Sequence, residues 1–127
     1  MRRNVIQGFT LIELIVVLAL IALLLSIAAP RFSTGVERAE EAVLRQNLKA
    51  IRSALDQYLA DTGRHPEDLQ ALVDARYLRE VPLDPVVDSH SAWVIVAPPA
   101  DAQTAGVFDV RSSAQGRASD GSVYADW

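Results

Sequence analysis

Glu13 is the residue whose position most needs a chemical explanation. It is the single charged residue between Phe9 and Ala29, inside an otherwise unbroken apolar run. A carboxylate at the centre of a bilayer costs about 2.5–3.5 kcal/mol on insertion scales, and less near the interface. A buried charge needs a partner, and no basic residue lies within the run. A second group of oxygens lies near the C-terminus, where Asp120 and Asp126 stand among Ser112, Ser119 and Ser122. Carboxylates and backbone carbonyls of one loop can supply the six to eight oxygens that calcium takes. The alternative is an ordinary turn at Asp120-Gly121 with a solvent-facing Asp126.

Other chemistry is poorly provided for. There is no cysteine, so neither a thiol nucleophile nor a disulfide. No glycine-rich phosphate loop occurs, and no histidine–acid spacing marks a zinc site. His65 reads as a turn residue and His90 falls in a polar loop, with nothing tying them together. The chain is not expected to be an enzyme. Its formal charge is −4, from 12 basic and 16 acidic residues, which argues against a general nucleic-acid surface.

The apolar run fixes the first element. As a helix, the 21 residues from Phe9 to Ala29 would span about 31 Å, roughly one hydrocarbon core. Arg2 and Arg3 precede the run, and Ser26-Ile27-Ala28 offers small residues at a cleavage site. Hydrophobicity alone therefore leaves two readings open: a cleaved secretory signal, or an anchor with its N-terminus held in the cytoplasm by the arginines. The length of the run and the presence of Glu13 count against the secretory signal.

The motif Gly8-Phe9-Thr10-Leu11-Ile12-Glu13, following a short basic leader, resembles the class III signal of type IV pilins and type II secretion pseudopilins. The resemblance implies prepilin peptidase cleavage between Gly8 and Phe9 and methylation of the new Phe9 amine. It implies that Glu13 faces the Phe9 ammonium of a neighbouring subunit in a filament, which is the partner its own helix lacks. Pro30 matches a proline common in this family's helix. Removal of residues 1–8 would leave ten basic and sixteen acidic residues, a charge near −6.

Past Pro30 the pattern turns amphipathic. Apolar residues at Val36, Ala39, Val43, Leu44, Leu48, Ile51, Leu55, Tyr58 and Leu59 step mostly by three and four. Glu37, Glu41, Arg45, Lys49 and Arg52 read as a solvated face, with Glu41 and Arg45 spaced for a helical pair. Pro30 is expected to kink or locally break the helix, and Gly35 weakens it further. Gly63 is placed to cap the helix end. A short helix is expected from His65-Pro66-Glu67-Asp68 onward, with Leu69, Leu72 and Val73 on its apolar side.

Prolines make the segment from Tyr77 to Pro85 an extended connection. Its Tyr77-Leu78 and Pro82-Leu83-Asp84-Pro85 resemble the corresponding connection of the major, G-type pseudopilin, although Val86-Val87 stands where that family often has an aromatic-glycine pair. Strand signals cover residues 92–97 and 106–112. Asp120-Gly121 marks a turn, and residues 122–127 form a final strand or an ordered tail held by Tyr124 and Trp127. The G-type resemblance implies a calcium loop near the C-terminus, with Asp120 and Asp126 as two acidic ligands. Here Ala114-Gln115-Gly116 replaces the acidic Asp-Gly pair common in that family, and the loop is shorter.

Together these features predict an α+β, pilin-like fold: a long N-terminal helix, transmembrane then amphipathic, packed on a small antiparallel sheet of two to four strands. The expected divisions are a cleaved leader (1–8), a transmembrane or filament-core helix (9–29) and a periplasmic domain (30–127). The resemblance implies a structural subunit of a type II secretion pseudopilus, single-pass in the inner membrane with its N-terminus cytoplasmic. Implied partners are further copies and other pseudopilins, the prepilin peptidase, and an inner-membrane platform with its ATPase. A type IV pilin for adhesion, motility or DNA uptake, and a monomeric membrane-anchored binding protein, are the alternatives.

Overall fold

The computed structural model describes residues 8–102 and 104–127, with the backbone alone at 31 and 32. The leader residues Arg2 and Arg3 lie outside the described residues. The elements in order are helix α1 (Leu11–Thr62), helix α2 (Leu69–Asp74), strands β1 (Trp93–Val96) and β2 (Asp109–Ser112), and a 3-10 turn (Tyr124–Asp126). The chain divides into two compact units at Val36 and Glu37.

In the first unit the apolar side chains point outward on every side. Phe9 is 85% exposed, Leu11 80% and Leu24 66%. The apolar part of α1 is long and apolar enough to cross a membrane. Pro30 lies inside α1 and does not end it, so the expected local break does not occur. Pro30 removes one backbone donor, and its own carbonyl accepts the Ser33 hydroxyl at 3.1 Å.

The second unit has one core. Leu44, Leu48, Ile51, Ala54 and Leu55 of α1 meet Leu69 and Leu72 of α2, Trp93 of β1, and Val107, Val110 and Tyr124. The buried stripe is narrower than the sequence predicts: Val36 and Val43 are 44% and 49% exposed. Gly63 has φ 71 and its amide donates to Leu59 O, so it closes α1 as expected. Helix α2 starts later than expected. Its cap is Asp68, which accepts Ala71 N at 2.8 Å, while Pro66 is buried outside the helix. The reason is tertiary, because the Pro66 carbonyl accepts Val107 N. Gly106 makes this approach possible: with φ 127, a Cβ there would lie 2.5 Å from Pro66 O.

The sheet is two-stranded and antiparallel, pairing Trp93 with Ser112 and Val96 with Asp109. Strand β2 is shorter than residues 106–112, since Val107 N is diverted to Pro66 O. The tail is ordered as the 3-10 turn and an isolated bridge between Arg117 and Val123. The Tyr77–Pro85 connection is free of regular helix and strand, bends at Tyr77, Arg79 and Glu80 rather than running fully extended, and is pinned from outside. Asn47 Nδ2 donates to Leu83 O at 2.6 Å, and Trp93 Nε1 to Pro82 O at 2.9 Å. Asp84 is fully buried; it accepts the Ser112 hydroxyl and the amides of Val86 and Val87.

Candidate functional site

Two regions carry the predicted site residues, one in each unit. At the N-terminus Gly8 and Phe9 are exposed and precede the helix. Thr10 is the helix cap: its Oγ1 accepts Glu13 N at 3.2 Å, and its carbonyl accepts Leu14 N. Glu13 thereby stands in the first turn of α1, where unpaired backbone N–H groups favour a negative charge. The Thr10-x-x-Glu13 spacing is that of a capping box. The sequence therefore specifies both where the helix starts and the end at which its acid stands. Glu13 is exposed, as are the apolar residues around it. A helix apolar on all sides belongs in lipid or among other helices.

In the second unit the predicted acids Asp120 and Asp126 meet different surroundings. Asp120 Oδ2 receives the Arg45 guanidinium at 2.8 Å. Asp120 Oδ1 accepts Ser122 N at 2.9 Å and the Ser122 hydroxyl. The hydroxyl and amide of Ser122, with Arg45, hold the Asp120 carboxyl below its ordinary pKa. Asp126 lies exposed on the 3-10 turn. Among the described residues no group of three or more His, Cys, Asp or Glu side chains is placed to hold a metal ion. Both oxygens of Asp120 are already engaged, one by a cation. Asp120 is thus paired with a cation, and among the described residues it is not gathered with Asp126 and a third such side chain.

The residue that organises this region is Glu41. It is not on the solvated face; it is 9% exposed. Its Oε1 accepts Ser119 N at 2.7 Å and Tyr124 Oη at 3.1 Å, and its Oε2 accepts Ser119 Oγ at 2.6 Å. The Ser119 hydroxyl and amide push its carboxyl below the ordinary range, against a smaller opposing effect of burial. Arg45 accordingly pairs with Asp120 rather than with Glu41, and its guanidinium carbon sits 3.7 Å from the Trp127 ring centroid. Spacing was the signal for Glu41. Glu41, Leu44, Leu48, Ile51, Leu55 and Tyr58 step by three and four along one stripe, with Glu41 as its first member. Arg52, also expected on the solvated face, binds Asp109 at 2.8 Å and Val110 O at 2.9 Å.

Comparison with known proteins decides the family. Residues 3–29 match the model of the prokaryotic N-terminal methylation motif. The chain is 34% identical over 101 residues to type II secretion system core protein G of Klebsiella michiganensis, covering 67% of this chain and 71% of the relative. The chain belongs to the type II secretion core protein G family. The core protein G of Pseudomonas aeruginosa is 32% identical over 101 residues, with the same coverage of 67% and 71%. A prepilin peptidase-dependent protein A of Clostridium perfringens is 45% identical over 60 residues, 47% of this chain and 43% of the relative. No solved structure matches the chain significantly. Membership of the core protein G family agrees with the resemblance carried by Gly8-Phe9 and by the Tyr77–Pro85 connection, even with Val86-Val87 in place of an aromatic-glycine pair.

Proposed function

We propose that the chain is a structural subunit of a type II secretion pseudopilus and works mechanically, not as an enzyme. The observation that carries this reading is the first unit: a helix apolar on every side, with one carboxylate in its first turn. In this reading residues 1–8 are a leader removed by the prepilin peptidase between Gly8 and Phe9. The remaining residues 9–29 hold the subunit in the inner membrane, N-terminus cytoplasmic, with residues 30–127 in the periplasm. A methylated Phe9 ammonium then lies four residues before Glu13.

Within one subunit the Glu13 carboxylate has no basic side chain in its run. Between subunits, the Phe9 ammonium of one copy neutralises Glu13 of the next as their apolar helices pack. Desolvation makes an unpaired carboxylate costly and a paired one tolerable, so the same residue guides register and rejects misaligned neighbours. An inner-membrane platform and its ATPase drive the subunits from the bilayer into the filament, alongside other pseudopilins. The filament pushes folded proteins through the outer membrane.

The test is complementation. A strain lacking the subunit should regain secretion with the native chain and not with Glu13→Leu, while both reach the inner membrane at equal level. Restored secretion by Glu13→Leu would overturn the assembly role; a simple anchor tolerates that change.

A further inference from the structure

Residues 113–122 form a loop with little to hold it by burial. Its apolar side chains are Ala114 and Ala118 alone, 4% and 6% exposed. Local hydrogen bonds shape it: Ala118 N donates to Ser122 O, and Arg117 Nη1 to Gly121 O. The side chains that tie it to α1 come from one turn of that helix. Glu41 takes the amide and hydroxyl of Ser119, and Arg45 takes Asp120. Glu41 also takes the Tyr124 hydroxyl just beyond the loop.

We propose that Glu41 and Arg45 form a latch that closes the C-terminal loop in place of a bound cation, so that folding of the globular unit is independent of calcium. The geometry supplies the reason. A loop-closing ion must gather oxygens that would otherwise be held by water. Here both carboxylate oxygens of Asp120 are taken. Asp120 Oδ2 is 2.8 Å from a guanidinium, and Oδ1 serves Ser122. A divalent cation at Asp120 would have to displace Arg45 and stand beside its positive charge, at a Coulombic cost. Glu41 meanwhile serves as an anchor, accepting from two donors of Ser119 on both its oxygens. Charge-assisted bonds of this kind are the strong ones. Arg45, stacked on Trp127, balances the Asp120 charge.

The experiment uses the mature full-length chain in detergent, melted with calcium and with excess chelator, and digested with trypsin under native conditions. Cleavage after the exposed Arg117 reports opening of the loop. The native chain should melt at the same temperature in calcium and in chelator. An ion present at a hundredfold excess over its Kd would instead raise Tm by about 10–20 °C in a unit of this size. Glu41→Ala should speed cleavage after Arg117 by roughly tenfold or more, and calcium should not restore protection. Should Glu41→Ala fail to fold, Ser119→Ala and Tyr124→Phe each remove one donor and should give smaller, graded increases. A calcium-dependent rise in Tm of the native chain overturns the proposal. So does protection at Arg117 that is unchanged in all three variants. Neither outcome bears on the filament role of Glu13.

Discussion

The backbone amide of Ser119 donates to Glu41 Oε1 at 2.7 Å, joining positions 78 residues apart. That bond makes the globular unit sensitive to acid. The Glu41 carboxyl is held low first by the Ser119 hydroxyl and then by its amide; Asp120 is held low first by Ser122 and then by Arg45. A carboxyl with a depressed folded-state pKa contributes stability that is present above its unfolded value, about pH 4, and lost as pH falls through the lower folded value. Tm should therefore drop on acidification below about pH 4. The drop should be shallower in Glu41→Gln, measured by circular dichroism across a pH series.

The alkaline limb has the opposite sign. Burial raises the Tyr124 hydroxyl, helped by its bond to Glu41, and the bond to Asp61 raises Tyr77. A raised pKa gives stability that is present below the unfolded value, about pH 10, and lost as pH rises through the folded one. Spectrophotometric titration should show the Tyr124 absorbance change later in the native chain than in Glu41→Gln. Identical titrations would remove Glu41 as a cause.

Processing is predicted from Gly8 and Phe9. The mature protein should begin at Phe9 with a methylated amine, read by mass spectrometry of the intact N-terminus. A mature start at Ala29 would indicate signal-peptidase cleavage and would end the pseudopilin reading.

Glu13→Ala should leave membrane insertion and the globular unit intact and impair assembly alone. Breaking a buried charge pair costs about 3–5 kcal/mol, so crosslinks between neighbouring subunits in cells should fall by at least tenfold. Trypsin resistance of the globular unit serves as the folding control. Unchanged crosslinking would show that docking does not need this carboxylate.

Core packing sets the stability of the second unit. Ile51 is 0% exposed, and Ile51→Ala should cost about 2–5 kcal/mol by deleting buried methyls and leaving a cavity. For a unit of this size each kcal/mol lowers Tm by about 4–8 °C. Val43→Ala, at a site 49% exposed on the same helix, should change Tm far less.

Asp84 gives a separate test of buried polar order. Ser112→Ala removes the hydroxyl that donates to Asp84 Oδ2 and accepts Ala114 N, leaving fully buried groups unpaired. The expected loss is about 1–3 kcal/mol, read by urea unfolding. A loss near zero would mean that water replaces the hydroxyl.

The sequence by itself determined the features that depend on local composition and spacing. The run from Phe9 to Ala29 carries its own helix, because it contains no glycine or proline and its side chains are almost all apolar. Thr10-x-x-Glu13 determines its start, and Gly63 ends α1 by admitting a positive φ. The motif at Gly8-Phe9 points to processing for the same local reason. Tertiary structure decided which charges are solvated and which are structural. Glu41, Arg45 and Lys49 share a residue class and a helix. Only Glu41 heads the buried stripe, and only the return of Ser119 from a distant turn makes that position tolerable for a carboxylate. Helix α2 begins after Pro66 because Val107 claims the Pro66 carbonyl. Asp120, which the sequence offers as a metal ligand, is brought within 2.8 Å of Arg45. Each of these outcomes turns on hydrogen bonds between positions far apart in the chain, and a buried polar group takes its meaning from the partner that satisfies it.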